Sequence, residues 1–525
     1  MAAPDQIKIT RAAGVTGFYT LLSRILGLVR DQVVAYLFGA GPAADAFFVA
    51  FRIPNLLRRL SAEGAMAAAF VPVYTQELIN SGPEAARRTA GAAASVLAVI
   101  LAGLSILGIV LAPLLVRLIA PGYAEDPAKF ELTVLLTRIV FPYVFFISLA
   151  TLLMSQLNAL GHFAAPAAAP IALNVSIIAF ALLVGPGLDR PAVALAVGVL
   201  VGGAAQMAVQ GPPLLKRRAW PQLVWQPGLE AVRTMGQRMI PVLFGAGVYQ
   251  VNLLVNTLLA SLLAPGSVSF LYYADRLVQF PLGVFGVALG TAVLPSLSRQ
   301  AALGQEKALT DSAGHGLRLA LFIVLPSAVG LALLAQPVVS LIYQRGAFDA
   351  AVSVQTVKAL WAYALGLPLA ALAMVVIRVF NALNDTRTPA LVGVWAVALN
   401  IALSLILMRP LAHAGLALAS SLATGFNLLL LLRKLYSRAP CFRGVGLFSG
   451  LGRTLVASAG LAALLALGFH WPGWLLEGLA NWLKVVIGVL GGAGAYFVLA
   501  WALKSPELKS LLKALARTSA PDSGK

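Results

Sequence analysis

The chain has 525 residues, of which 60% are hydrophobic and only 11% charged, and its mean hydropathy of +0.89 lies outside the range of soluble globular proteins. Its net charge of +19 would suit a nucleic-acid partner. The basic residues fall instead in short connections between apolar stretches long enough to span a bilayer, so topology explains them and no nucleic acid is expected. A single cysteine, Cys441, excludes an intrachain disulfide and a thiolate metal cluster, and the four histidines form no metal motif.

Apolar runs of about 20 residues predict an all-α polytopic membrane protein with fourteen transmembrane helices. They lie near residues 12–37, 46–78, 91–116, 131–157, 165–184, 192–213, 239–261, 270–298, 319–342, 359–383, 390–408, 414–431, 455–469 and 485–503. The first is not a cleavable signal, because Arg24 and Arg30 interrupt its apolar core. Connections on one side carry most of the Lys and Arg, among them Lys8, Arg11, Arg87, Arg88, Lys216, Arg217, Arg218 and the basic tail. The other side has only Arg117, Lys129, Arg190, Arg345, Lys358, Arg409 and Lys484. The positive-inside rule then places both termini in the cytoplasm.

Asn158-Ala159-Leu160 followed by Pro166 recurs as Asn381-Ala382-Leu383 followed by Pro389, at an offset of 223. Leu118-Ile119 and Leu341-Ile342 obey the same offset, and Ala194 to Ala196 finds a loose echo in Gly415 to Ala417. A duplicated six-helix unit follows, with both copies in the same orientation. The expected organisation is a six-helix lobe over 1–218, a pseudo-symmetric second lobe over 219–440, and helices 13 and 14 with a basic cytoplasmic tail over 441–525.

Arginines interrupt these spans: Arg24 and Arg30 in the first, Arg52, Arg58 and Arg59 in the second, Arg276 in the eighth, and Arg138 and Arg378 in the fourth and tenth. A charge at bilayer depth costs at least a few kcal/mol, so it faces a partner or a wet cavity. The repeat sets spans 1, 2, 7 and 8 around a pseudo-twofold axis, where the first six arginines would converge. The plainer reading has Asp31, Asp45, Glu63 and Asp275 neutralising them, but these carboxylates are outnumbered by the arginines. An anion or water would fill the deficit, and the planar guanidinium fork suits a diphosphate. Ser23 and Arg30, like Arg24 and Asp31, are two helical turns apart and share a face. Asn174 is either a polar group of the cavity or glue between helices. Asn381 and Asp385, with Asn256 as a third oxygen donor, would suit a hard cation such as sodium; the plainer reading is a helix C-cap and a loop carboxylate paired with Arg387.

The stretch Leu22 to Asp31, then Ala44-Asp45-Ala46-Phe47-Phe48, Pro54 to Arg59, Tyr272 to Leu277 and Leu294 to Ser298 resemble the MurJ (MviN) family. That family lies within the multidrug/oligosaccharidyl-lipid/polysaccharide exporter superfamily. The resemblance implies a flippase, not an enzyme, that moves lipid II, the undecaprenyl-diphosphate disaccharide pentapeptide, to the outer leaflet by alternating access. It implies cavity charges at Arg24, Arg30, Asp31, Arg58 and Arg276, with Asp45 and Asn174 in support, and a groove for the lipid tail on helices 13 and 14. Some members bind sodium through a carboxylate on helix 7, where this chain has the neutral Asn256. The expectations are therefore no resident cofactor and coupling to sodium or to membrane potential. A monomer in the bacterial cytoplasmic (inner) membrane is expected, with lipid II and membrane lipids as partners and cell-wall synthesis or division proteins as further ones. The rivals are a multidrug or other polyprenyl-diphosphate-linked glycan exporter, a membrane-embedded enzyme on a polyprenyl lipid, and a scaffold. Clustered arginines argue against a cation exporter. The enzyme lacks a metal-binding His/Glu motif, and the scaffold leaves the buried charges unexplained.

Overall fold

The apolar runs fold as helices in the computed structural model, which describes residues 3–60, 66–292, 294–438, 447–470 and 479–519. In the first half these are α1 (Ala3–Phe38), α2 (Pro42–Leu60), α3 (Met66–Asn80), α4 (Gly82–Val110), α5 (Ala112–Ile119), α6 (Pro127–Val140), α7 (Tyr143–Ala159), α8 (Ala164–Ala179), α9 (Ala192–Ala208), α10 (Gly211–Lys216) and α11 (Glu230–Ser261). There follow α12 (Ser267–Ala292), α13 (Leu294–Ala302), α14 (Glu306–Leu333), α15 (Ala335–Tyr343), α16 (Ala350–Ala382), α17 (Arg387–Arg438), α18 (Leu447–His470), α19 (Asn481–Ala502) and α20 (Pro506–Ser519). Among the described residues there is no strand, and nine helical segments are long and apolar enough to cross a membrane. Several predicted spans are built from two helices. The eleventh and twelfth instead form one run, α17, broken at Ala412, whose φ of 48° is not helical. The basic tail is itself a helix, α20, up to Ser519.

Local chemistry explains the breaks. Pro113 lies in the first turn of α5 and has no N–H to offer the carbonyl of Ile109 one turn earlier. That carbonyl accepts instead from Arg138 Nε at 3.3 Å, which accounts for an arginine otherwise puzzling in the fourth span.

The 223-residue offset extends into the bonding. Asp126 caps α6 by accepting from Lys129 N, and Asp349 caps α16 by accepting from Val352 N. Leu111 and Leu334 interrupt α4–α5 and α14–α15 in the same way, their N–H groups bonding to Leu107 and Gly330. Trp361 donates to Ala332 O at 2.8 Å, at the positions that Arg138 and Ile109 occupy in the first copy. After α7 and α16 the chain makes one turn twice: His162 N bonds to Leu157 O and Asp385 N to Phe380 O, around Gly161 (φ 71°) and Asn384 (φ 58°). Gly and Asn are the residues that enter this left-handed region at least cost.

The chain divides into two compact units, Met1–Ser269 and Phe270–Lys525. In the first, α1 packs on α8, α8 on α9, and α2 on α6 and α7. In the second, α16 packs on α14 and α17, while α18, α19 and α20 gather on α14. Glu507 anchors α20: the carboxylate is 2% exposed, accepts from Ser505 Oγ at 2.8 Å and lies 3.6 Å from Arg318 Nε.

Candidate functional site

In α1 a heptad separation places Ser23 and Arg30 on one face, two turns apart. The packing of α8 on that face joins them through Asn174. Its side-chain nitrogen donates to Ser23 O at 3.2 Å, and its oxygen accepts from Arg30 Nη1 at 3.2 Å. Arg30 also reaches its neighbour Asp31, with Nη2 at 2.7 Å and Nε at 3.1 Å from Oδ1. Asp31 is 1% exposed and the Arg30 side chain 12%, a depth at which an unpaired charge would be costly. Ser23, Arg30, Asp31 and Asn174 thus form one cluster. Arg24 is exposed.

On α2, Arg58 Nε donates to Asn55 Oδ1 at 3.0 Å, one turn back. Tyr143 is buried at the start of α7, and its hydroxyl donates to Gln206 Oε1 at 3.4 Å. Phe51 lies against the same ring, centroid to centroid 6.0 Å. Tyr143 and Gln206 had no signal in the sequence beyond their polarity inside apolar runs. Arg52 is half-buried on α2, whereas the Arg59 side chain and Glu63 lie outside the described residues.

Among the described residues Asp45 pairs with a lysine and with no arginine. It is 1% exposed, and its Oδ2 accepts from Lys129 Nζ and from Gly266 N, each at 2.8 Å. Its Oδ1 accepts from Ser269 N at 3.0 Å and Ser269 Oγ at 2.7 Å. The carboxylate therefore sits on the first turn of α12, where backbone N–H groups and the helix dipole favour an anion. Lys129 lies 3.9 Å from the centre of the Tyr123 ring, an ammonium–π contact. Burial and the Asp45 charge push the Tyr123 hydroxyl pKa up. The backbone beside it is tight: Gly122 N donates to Ser261 Oγ at 3.4 Å, and a Cβ at Gly122 would lie 2.1 Å from Ser261 O. By topology Lys129 counts only among the seven cations of the sparsely charged connections. The signal that could have found it is the repeat, which sets Val352 at the matching position.

In the second unit, Arg276 is half-buried on α12, and the adjacent Asp275 accepts a short hydrogen bond from Gln279. Asn381 is exposed at the end of α16, its carbonyl accepting from Asn384 N at 3.1 Å. Asp385 caps the start of α17, its oxygens accepting from Thr388 N at 3.0 Å and Thr388 Oγ1 at 2.7 Å. It is ion-paired to Arg438, not Arg387. Burial raises its pKa, but the Thr388 bonds, the Arg438 charge and the Arg387 N–H outweigh this and hold it below the ordinary carboxylate value. Asn256 is half-buried on α11, in the first unit. Among the described residues, no group of three or more His, Cys, Asp or Glu side chains could hold a metal ion.

Helices that cross a membrane several times and hold ionised side chains inside their bundle define a multi-pass membrane transporter. The family model described as "Lipid II flippase MurJ" matches residues 34–482, and the chain belongs to this family, one of flippases rather than enzymes. It is similar to the probable lipid II flippase MurJ of Vibrio cholerae, at 36% identity over 522 residues, covering 96% of this chain and 98% of that protein. It is also similar to the lipid II flippase MurJ of Burkholderia cenocepacia, at 38% over 497 residues, covering 93% and 96%. Among solved structures, a lipid II flippase MurJ in an inward closed conformation superposes with a TM-score of 0.74 at 26% identity, covering 93% of this chain and 98% of that one. An inward-facing multidrug resistance MATE family transporter of the MOP superfamily gives 0.68 at 14% identity, covering 83% of this chain and 99% of that one, a likeness of fold alone.

Proposed function

We propose that this protein flips lipid II from the cytoplasmic to the outer leaflet of the bacterial inner membrane, with both termini in the cytoplasm. The diphosphate is gripped by Arg24, Arg30, Arg58 and Arg276, with Arg52 and Arg59 nearby, while the polyprenyl tail stays in lipid against helices 13 and 14. Two lobes, 1–218 and 219–440, rock about the site in alternation, with 441–525 as an appendage. The observation that carries the reading is the Arg30 cluster: a largely buried guanidinium oriented by Asp31 and Asn174. A guanidinium held in this way is preorganised for bidentate contact with an anion. The polarity supports it too, because Asp45 ties the starts of α2 and α12 together on the side that the charge asymmetry assigns to the outside. We favour membrane potential over sodium as the driving force, since the Asp385 oxygens are engaged by Thr388 and Arg438.

The test is lipid II reaching the outer leaflet in cells depleted of their own flippase, with the intact protein, Arg30→Ala and Arg276→Ala at matched membrane levels. Restoration by the intact protein alone supports the reading. Restoration by both variants would reduce the arginines to structural charges, and failure of the intact protein would refute the flippase assignment.

A further inference from the structure

Of the Lys and Arg residues in the sparsely charged connections, Lys129 alone is buried, at 6% exposure. The repeat shows what that ion pair is for. Asp126 and Asp349 cap corresponding helices, and three residues on from each come Lys129 and Val352. Pro42 and Phe47 correspond at the same offset to Pro265 and Phe270, which makes Val268 the counterpart of Asp45. The second copy therefore has valine at both positions: the two charges are present together in one copy and absent together in the other. The cap and the helix start form in both copies, so neither needs the ion pair. What only the first copy has is a carboxylate set on the first turn of α12, through Gly266 and Ser269.

We infer that Lys129 is a positioning residue of the transport cycle: held over the Tyr123 ring, it fixes the Asp45 carboxylate on the start of α12 and so keeps the outer end closed while the head group loads from the cytoplasm. This rests on the alternating-access reading above. Each Asp45 oxygen accepts two hydrogen bonds, and Lys129 supplies one of the four together with the only full positive charge among them. Its loss leaves a buried carboxylate short of a donor and of its counter-charge, which favours any state in which water reaches it. The turn before α6, whose Tyr123 ring carries Lys129, abuts the end of α11 through Gly122 and Ser261, so a loosened Lys129 also loosens that contact.

The experiment uses the full chain with Cys441→Ser and a reporter, Ser261→Cys, whose parent residue is 4% exposed. Labelling by a membrane-impermeant maleimide added from outside is compared for otherwise unaltered protein, Lys129→Met, Lys129→Arg and the double variant Asp45→Val/Lys129→Val. Lys129→Met should label at least about tenfold faster, a floor set well under the roughly 150-fold or more by which removing one member of a buried pair shifts an equilibrium. Lys129→Arg should return labelling close to the starting rate. The double variant, which copies the second repeat, should accumulate normally yet label as fast as Lys129→Met, and it decides the matter if Lys129→Met does not accumulate. Unchanged labelling in Lys129→Met or in the double variant would overturn the inference. If lipid II transport by the unaltered protein fails while the labelling pattern holds, the flippase reading falls and the latch stands; transport with flat labelling sinks the latch alone.

Discussion

Asn174→Ala removes a side chain that ties α8 to both Ser23 and Arg30. A hydrogen bond to a charged group is worth about 1.5–3 kcal/mol in soluble proteins, but bonds between helices inside a membrane average nearer ~0.6 kcal/mol, with a ceiling of about 1.7. The 3.2 Å separation from Arg30 is long for a charge-assisted contact, which selects the lower scale. Two such bonds come to about 1.2 kcal/mol, or roughly a sevenfold change in an equilibrium. Arg30 keeps Asp31 in the variant, so the expected outcome is a roughly sevenfold fall in the rate at which lipid II reaches the outer leaflet, at unchanged protein level. Asn174→Asp should do worse than Asn174→Ala, because a second carboxylate beside Arg30 competes with the anionic head group. A double-mutant cycle with Arg30→Ala isolates the coupling between the two side chains, expected at about 0.6 kcal/mol. Transport by Asn174→Ala indistinguishable from that of the unaltered protein, or a cycle with zero coupling, would refute the idea that Asn174 orients Arg30.

Gly122→Ala places a methyl group 2.1 Å from the Ser261 carbonyl, so the loop or α11 must shift, and thermal unfolding in detergent should show a loss of about 1–3 kcal/mol. The Asp385 carboxyl has a lowered pKa in the folded protein, so its contribution is present above its unfolded value of about 3.9 and is lost as pH falls through the folded value. Arg438→Ala should therefore lower the melting temperature at pH 7 and have a smaller effect below about pH 4. The loss should be modest and should shrink with added salt, since Arg438 is 57% exposed. Glu507→Ala removes the buried carboxylate that accepts from Ser505 Oγ and lies 3.6 Å from Arg318 Nε, and limited proteolysis should then cut between α19 and α20 faster than in the unaltered chain.

Class and repeat were legible in the sequence because both are carried by one-dimensional patterns. Apolar run length reports the membrane whatever the helices pack against, and an offset of 223 between Asn158 and Asn381 survives any rearrangement. The Ser23–Arg30 face was legible as well, since helical periodicity alone aligns two residues seven apart. Which polar group would meet that face was not, because Asn174 lies 144 positions from Arg30 and only the packing of α8 on α1 brings it there. The same limit explains Asp45, whose counter-charge is a lysine in the first turn of α6, 84 residues on, and whose other donors lie 221 and 224 residues away. The sequence by itself determined the charges, the periodicities and the family; only the tertiary structure decided which charges meet, because a buried ion pair is selected by three-dimensional proximity and desolvation, and neither leaves a periodic trace along the chain.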